Sequence, residues 1–112
     1  MELTYEPLGP VMVVVLAGEQ LDASTATEFK RDIAPVLEKH SQIIFDLSQL
    51  GFVDSSGLGA LLTCLHQLHA KGGDLKLYGI SKPVRTLFEL VRMHRIFHIF
   101  DTREQAVHSF QP

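Results

Sequence analysis

Short apolar runs alternate along the chain with longer segments in which apolar residues recur every three or four positions. The short runs are typical of strands, and the longer spacing is typical of amphipathic helices. On this pattern, strands are predicted at 3–6, 11–17, 43–47, 75–78 and 97–100, and helices carry apolar residues over 26–37, 58–68, 84–91 and 106–110. The third helix is predicted to start at Ser81 with Pro83, and the last one to be capped by Asp101 or Thr102. Residues that favour helix starts or turns, chiefly Ser, Thr, Asp, Gly and Pro, lie between these segments.

The order of the predicted elements determines the fold class. The order is β-β-α-β-α-β-α-β-α, and strands that alternate with helices imply a largely parallel sheet with right-handed crossovers. A tight turn over 7–10 joins the first two strands, so this pair should be antiparallel. We therefore expect residues 1–112 to form one α/β domain with a mixed, mostly parallel sheet and about four helices. Pro35, inside the first helical pattern, predicts a kink or an early helix end.

Composition and charge narrow the class of protein. The chain has 112 residues, of which 46% are apolar and 21% charged, as is typical of a globular domain. Its net charge of −3 argues against general nucleic-acid binding, which requires a basic domain. Residues 1–56 hold three Lys or Arg and nine Asp or Glu, whereas residues 57–112 hold seven and four. This asymmetry either steers a charged protein partner or reflects solvated faces that happen to segregate.

The sequence also bears on cellular location. The longest strongly apolar run, 11–17, is shorter than the roughly 20 residues that a membrane-spanning helix needs. The first residues lack the basic segment of a secretory signal. Cys64 is the only cysteine, which excludes an intrachain disulfide and a cysteine-based zinc cluster. We therefore expect a cytoplasmic protein without direct membrane insertion.

Two pairs of histidines raise the question of metal binding. His66 and His69 are three residues apart, and His94 and His98 are four apart, on predicted helices or near them. No nearby carboxylate or thiolate completes a convincing site, so surface histidines are favoured. No serine has the Gly-x-Ser-x-Gly spacing of a nucleophile elbow, and no glycine-rich phosphate loop is present. We expect no metal, no cofactor and no catalytic turnover.

The most informative segment is 52–59, with the sequence Phe-Val-Asp-Ser-Ser-Gly-Leu-Gly between a strand and a helix. A helix that begins here presents unpaired N–H groups and the positive end of its dipole. Ser55 and Ser56 carry short hydroxyls that can cap this end, and Gly57 and Gly59 leave room for close backbone approach. From these features alone, an ordinary N-cap with small residues for tight helix packing is the favoured interpretation.

The run Asp-Ser-Ser-Gly-Leu-Gly at 54–59 resembles the signature of the STAS family, named for sulphate transporters and anti-sigma-factor antagonists. The resemblance covers essentially the whole chain. The segment 18–22 is similar to the family's first loop, 43–47 to its central strand and 92–106 to its C-terminal strand and helix. The first loop is one residue longer than the Gly-x-Leu-Asp spacing of many members. The chain length fits a free-standing antagonist with no transporter attached.

The resemblance implies a phosphorylation switch at Ser55. In antagonists of this family, the serine after the signature aspartate accepts phosphate from a partner serine kinase that is also the anti-sigma factor, and a protein phosphatase removes it. The unphosphorylated antagonist binds the kinase, and phosphorylation on Ser55 would release it. The resemblance places the first-loop aspartate, here Asp22, near the acceptor. We expect Asp22, Asp54, Ser56 and Gly57 to support the phosphoacceptor loop.

The predicted function is therefore that of an anti-sigma-factor antagonist, which is a kinase substrate and not an enzyme, and which is expected to be monomeric. Its docking surface should include Leu58 and Gly59 at the start of the second helix. An accessory STAS subunit of a membrane transporter, which would need no phosphate on Ser55, is one alternative. An enzyme with Ser55 as nucleophile is another, and a partner switch with an output other than a sigma factor is a third.

Overall fold

The computed structural model describes residues 1–111, which form seven strands and four α-helices. The strands are β1 (Glu2–Leu8), β2 (Val11–Ala17), β3 (Gln20–Leu21), β4 (Gln42–Asp46), β5 (Phe52–Val53), β6 (Asp74–Tyr78) and β7 (Ile99–Phe100). The helices are α1 (Ala26–Lys39), α2 (Ser55–Ala70), α3 (Lys82–Leu90) and α4 (Arg103–His108), and a 3₁₀ turn spans Met93–Arg95.

Five of the strands form a mixed sheet in the order β1-β2-β4-β6-β7. The hairpin β1–β2 is antiparallel, and every other pair in this sheet is parallel, as the sequence predicts. Helices connect the parallel strands because parallel neighbours require a crossover. The expected mixed α/β fold with an antiparallel N-terminal pair and four helices is confirmed.

The two faces of the main sheet carry different layers. Ile43 and Phe45 of β4 belong to the large core, which α1, α2 and α3 cover, and Phe45 meets Phe29 of α1 edge to face with ring centroids 5.9 Å apart. Ile44, between them, points to the other face and packs in a smaller cluster with Ala106 of α4. The central strands are therefore buried on both faces, which explains their continuous apolar sequences.

Two short strands lie outside the main sheet and have no counterpart in the sequence prediction. β3 and β5 form a two-stranded parallel sheet in which Gln20 pairs with Phe52 and Leu21 with Val53. Strands of two residues are too short to show an alternating pattern. This small sheet joins the segment before α1 to the segment before α2.

Four predicted boundaries were wrong. β1 extends through Pro7 to Leu8, because β1 is an edge strand and tolerates a proline. α1 continues past Pro35 to its end at Lys39, and Pro35 lies on the exposed side of the helix, where water can replace the lost hydrogen bond. β7 contains only two of the four predicted residues, since the N–H of Phe97 instead bonds the carbonyl of Met93. α4 ends before Phe110, which packs beyond the helix against the smaller cluster.

Candidate functional site

The loops before α1 and α2 lie side by side because β3 and β5 hold them together. The N–H of Gly51 donates to the carbonyl of Glu19 at 2.8 Å, and the N–H of Asp54 donates to the carbonyl of Leu21 at 3.3 Å. Segments that are about 30 residues apart in sequence therefore meet at one edge of the molecule. We call this pair of segments, 18–25 and 51–59, the acceptor site.

Asp54 is the residue that fixes the geometry of the acceptor site. Its backbone is extended, with φ −106° and ψ −171°, and its Oδ1 accepts a hydrogen bond from the N–H of Gly57 at 2.9 Å. Its Oδ2 accepts a second hydrogen bond from the N–H of Ala23, across the site, at 3.0 Å. One carboxylate therefore caps α2 and ties it to the segment before α1.

The expectation that Ser55 and Ser56 cap α2 was wrong, because the helix starts one residue earlier than that role requires. Asp54 is the cap, and the two serines occupy the first two helical positions. Both serines are exposed, and neither hydroxyl has a hydrogen-bond partner within residues 1–111. The N–H groups of the first helical turn have no acceptor in their own helix. Both hydroxyls are therefore accessible from solvent, and both lie beside N–H groups that attract an anion.

Gly57 allows the close approach of α2 to β3. A Cβ atom at this position would lie 2.0 Å from the carbonyl oxygen of Leu21 and 2.9 Å from Cγ1 of Val53. Gly59, by contrast, is exposed and has no heavy atom near the position of a Cβ. Leu58 is half-buried against the large core. The two glycines of the signature therefore have different physical roles, one in packing and one at an open surface.

Asp22 stabilises the turn before α1 through its side chain. Its Oδ1 accepts hydrogen bonds from the hydroxyl of Ser24 at 2.6 Å and from the N–H of Ser24 at 2.9 Å. These bonds, led by the one from the Ser24 hydroxyl, hold the pKa of Asp22 below its ordinary value of 3.8. No hydrogen bond within the described chain joins Asp22 to Ser55 or Ser56; the neighbouring Ala23, and not Asp22, bonds the carboxylate of Asp54.

Sequence reasoning missed two contributors to this surface. Ala23 acts through its backbone N–H, for which the residue type carries no signal. Phe52 of β5 lies two residues before Asp54 and is 53% exposed. Its position two residues before the signature was the available signal for it. The start of α3 lies close by, because the hydroxyl of Ser81 donates to the carbonyl of Leu50 at 2.8 Å.

The histidine pairs do not assemble into a metal site within residues 1–111. Within residues 1–111, no three His, Cys, Asp or Glu side chains lie close enough together to hold a metal ion. Nε2 of His69 lies 3.0 Å from Oδ1 of Asp74, at the end of α2. Over the same residues, none of the helices has the length and apolar character needed to span a bilayer.

The fold and the acceptor site define a small α/β domain with a serine-bearing helix N-terminus that is held against a neighbouring loop. The family model for the STAS domain matches residues 3–106, and the chain belongs to this family. The resemblance seen in the signature at 54–59 is thereby confirmed.

Similar proteins are named as regulators. The anti-sigma F factor antagonist of Paenibacillus polymyxa is 29% identical, over 87% of this chain and 84% of its own. The anti-sigma-B factor antagonist of Staphylococcus aureus is 26% identical, over 80% of this chain and 84% of its own. The solved structure of the anti-sigma factor antagonist SpoIIAA in its unphosphorylated form is 26% identical, with a TM-score of 0.76 over 95% of this chain and 93% of that one. Homologues of this chain are therefore anti-sigma-factor antagonists, a regulatory role and not an enzymatic one.

Proposed function

We propose that this protein is a cytoplasmic anti-sigma-factor antagonist that binds a serine kinase acting as anti-sigma factor, and that phosphorylation of Ser55 releases the kinase. The observation that carries the proposal is the position of Ser55, whose exposed hydroxyl follows Asp54 at the first position of α2. The solved structure of the similar protein SpoIIAA is described as its unphosphorylated form, which supports a switch of this kind. A protein phosphatase would restore the binding form.

The helix start explains why the domain tolerates the modification. A phosphate adds about −1.5 to −2 charges at pH 7 and brings three acceptor oxygens. At the first position of α2, these oxygens lie near unpaired N–H groups and the positive end of the helix dipole. The phosphate also has space, because Ser55 is exposed and Gly59, one turn further along, has no side chain. Phosphorylation should therefore leave the fold intact.

The same change should weaken the complex with the kinase. The acceptor site already carries the carboxylates of Asp22 and Asp54. A partner that packs over Ser55, Leu58 and Gly59 would have to desolvate a further dianion beside them, and this carries a penalty from desolvation and like charge. Phe52, exposed beside the acceptor, gives an apolar anchor for the unphosphorylated complex.

Ser56 is the competing acceptor, and it provides a matched control. Both serines are exposed in the first turn of α2, so the family resemblance and not local geometry selects Ser55. We expect Ser55→Ala to abolish phosphorylation but keep binding, and Ser56→Ala to be phosphorylated as the wild type is. Ser55→Asp should fold normally and bind weakly, although a carboxylate imitates phosphate poorly.

The test uses the kinase that a tagged wild-type chain captures from its native cell, incubated with MgATP and each variant. Mass spectrometry maps the phosphate, and calorimetry measures binding of phosphorylated and unphosphorylated chain. Phosphate on Ser56 alone, or equal affinity of the two forms, would overturn the proposal. The other proteins captured identify the output and show whether it is a sigma factor.

We also expect the chain to be a kinase substrate that catalyses no reaction itself. No histidine hydrogen-bonds the hydroxyl of Ser55 within the described residues, so that serine lacks a general base. Esterase, phosphatase and ATPase assays on the purified chain should remain at background. Activity that disappears in Ser55→Ala would contradict this.

A further inference from the structure

Lys76 is a buried cation on the side of the sheet opposite to α1, α2 and α3. It lies in the middle of β6, where its neighbours Leu75 and Leu77 point into the large core, so its own side chain points toward α4. The residue is only 7% exposed, and it is the one charged residue buried to this degree among residues 1–111. A lysine is seldom buried at a central strand position unless a partner compensates its charge.

The partners of Lys76 compensate its charge only in part. Nζ donates to the carbonyl of Ser109 at 3.0 Å and to the hydroxyl of Ser109 at 2.8 Å, and it lies 4.1 Å from the ring centroid of Phe110. No carboxylate within the described chain comes within 4.0 Å of this ammonium. An ammonium has three donors, so one of them has no oxygen of residues 1–111 as acceptor. Burial of a charge without a counter-charge is costly.

An open surface cavity of about 530 Å³ adjoins Lys76 at the β7 edge of the sheet. Its polar lining consists of Lys76, His94, His98 and Ser109, and the remaining lining residues are Phe97 and the two residues of β7. None of the lining residues is an aspartate or a glutamate, and none belongs to the acceptor site. Both histidines are exposed at the rim, so the cavity combines a deep cation with outer imidazole donors.

The segment that carries the histidines is firmly held. The N–H of Phe97 donates to the carbonyl of Met93 at 3.0 Å, and the carbonyl of His98 accepts from the N–H of Leu77 at 3.0 Å. The Phe97 side chain is almost fully buried in the large core. His94 and His98 therefore flank the cavity from a fixed backbone, and they need no rearrangement of the fold to face a ligand.

We propose that this cavity binds a phosphate group, either as the free ion or as the end of a small phosphomonoester. Lys76 supplies the charge, and the imidazoles of His94 and His98 supply the outer hydrogen bonds, since the hydroxyl of Ser109 already donates to the carbonyl of Ala106 at 2.6 Å. A lysine binds phosphate as a point charge, and separate single donors suit a tetrahedral oxyanion. The site is independent of the switch at Ser55, since it lies on other elements.

The experiment titrates isotopically labelled chain with inorganic phosphate at constant ionic strength and follows backbone and side-chain NMR signals. Saturable shifts are expected at Lys76, Ser109 and His98, with Lys76→Met weakening the affinity about tenfold or more, because hydrogen bonds to charged groups are the strong ones. Lys71→Met is the matched control. Its ammonium also binds backbone carbonyls, those of Leu37 and Glu38, but at the end of α1. This variant should bind phosphate as the wild type does.

His98→Gln tests the site without disturbing the buried lysine. If circular dichroism shows that Lys76→Met is unfolded, the phosphate affinity of His98→Gln alone decides whether the proposal holds. It should weaken binding while the thermal melt is unchanged. A parallel titration with glycerol phosphate shows which ligand carries the phosphate group. Tighter binding than that of inorganic phosphate indicates a phosphomonoester, and equal or weaker binding indicates the free ion. Equal shifts with chloride, or wild-type affinity in both Lys76→Met and His98→Gln, would show that Ser109 and Phe110 satisfy the lysine alone and overturn the proposal.

Discussion

The Oδ2 atom of Asp54 accepts a hydrogen bond from the backbone N–H of Ala23 at 3.0 Å, while the other oxygen of the same carboxylate caps α2 at Gly57. This single side chain thus connects the loop before α1 to the helix that carries Ser55. The STAS signature has a structural meaning at this point, because its aspartate holds the two halves of the acceptor site together.

Two replacements of Asp54 should destabilise the domain to different degrees. Asp54→Ala removes both hydrogen bonds and should lower the free energy of unfolding by about 1–2 kcal/mol, as expected for a lost cap. Asp54→Asn keeps one acceptor oxygen and should lose about half as much. Urea denaturation measures both values, with Ser56→Ala as a control that should stay close to the wild type. Equal stability of Asp54→Ala and wild type would contradict the structural role of the carboxylate.

The two signature glycines should respond in opposite directions to alanine. Gly57→Ala places a methyl group 2.0 Å from the carbonyl oxygen of Leu21, so the backbone must shift, and we expect a loss of about 3 kcal/mol. Gly59→Ala meets no neighbour and should stabilise the exposed helix by roughly 0.5–1 kcal/mol. Thermal melting of the pair is the measurement. Equal gains in both variants would mean that helix propensity and not the close approach of β3 governs this turn.

Asp22 should contribute to stability in a pH-dependent way. The hydroxyl and N–H of Ser24 depress its pKa in the folded state, so its stabilising effect is present above the ordinary pKa of 3.8 and disappears as the pH falls through the lower folded value. The difference in unfolding free energy between wild type and Asp22→Asn should therefore shrink on acidification. In Ser24→Ala, the pKa of Asp22, followed by carboxyl NMR, should move back toward 3.8. A difference that stays constant with pH would contradict this linkage.

Tyr78 should ionise only in strong alkali. Burial, followed by its hydrogen bond of 2.9 Å to Oδ2 of Asp46, raises the pKa of Tyr78 to about 12 from the ordinary value of 10.0. Its contribution to stability is complete below pH 10.0 and is lost as the pH rises through about 12. The chain has two tyrosines, so Tyr5→Phe isolates Tyr78 for ultraviolet titration. Asp46→Asn should lower the midpoint, and a midpoint near 10 in Tyr5→Phe would disprove the effect of burial.

Patterns with a strong local cause were predictable from the sequence. The strand at 11–17 was confirmed at both ends, because its β-branched residues are buried on both faces and a glycine follows it. The amphipathic stripe from Leu58 to Leu68 identified α2. The signature at 54–59 identified the family, since its small and acidic residues are needed together at one helix start.

Features that arise from tertiary contacts were not predictable. β3 and β5 exist because two distant segments meet, and neither has enough residues to show a period. The role of Ala23 depends on its N–H, and α1 extends through Pro35 because its exposed side can lose a hydrogen bond. The choice of Asp54 over the serines as the cap depends on backbone angles that the sequence leaves open.

The separation of the small sheet from the main sheet gives the molecule two levels of local stability. β3 and β5 pair only with each other, over two residues each, whereas β2 and β4 are flanked by strands on both sides. Hydrogen exchange should therefore be faster at the amides of Gly51 and Asp54 than at those of β4, because a two-residue ladder without flanking strands can open without global unfolding. We expect the segment before α2 to be among the first parts of the domain to exchange, while the central strands exchange last.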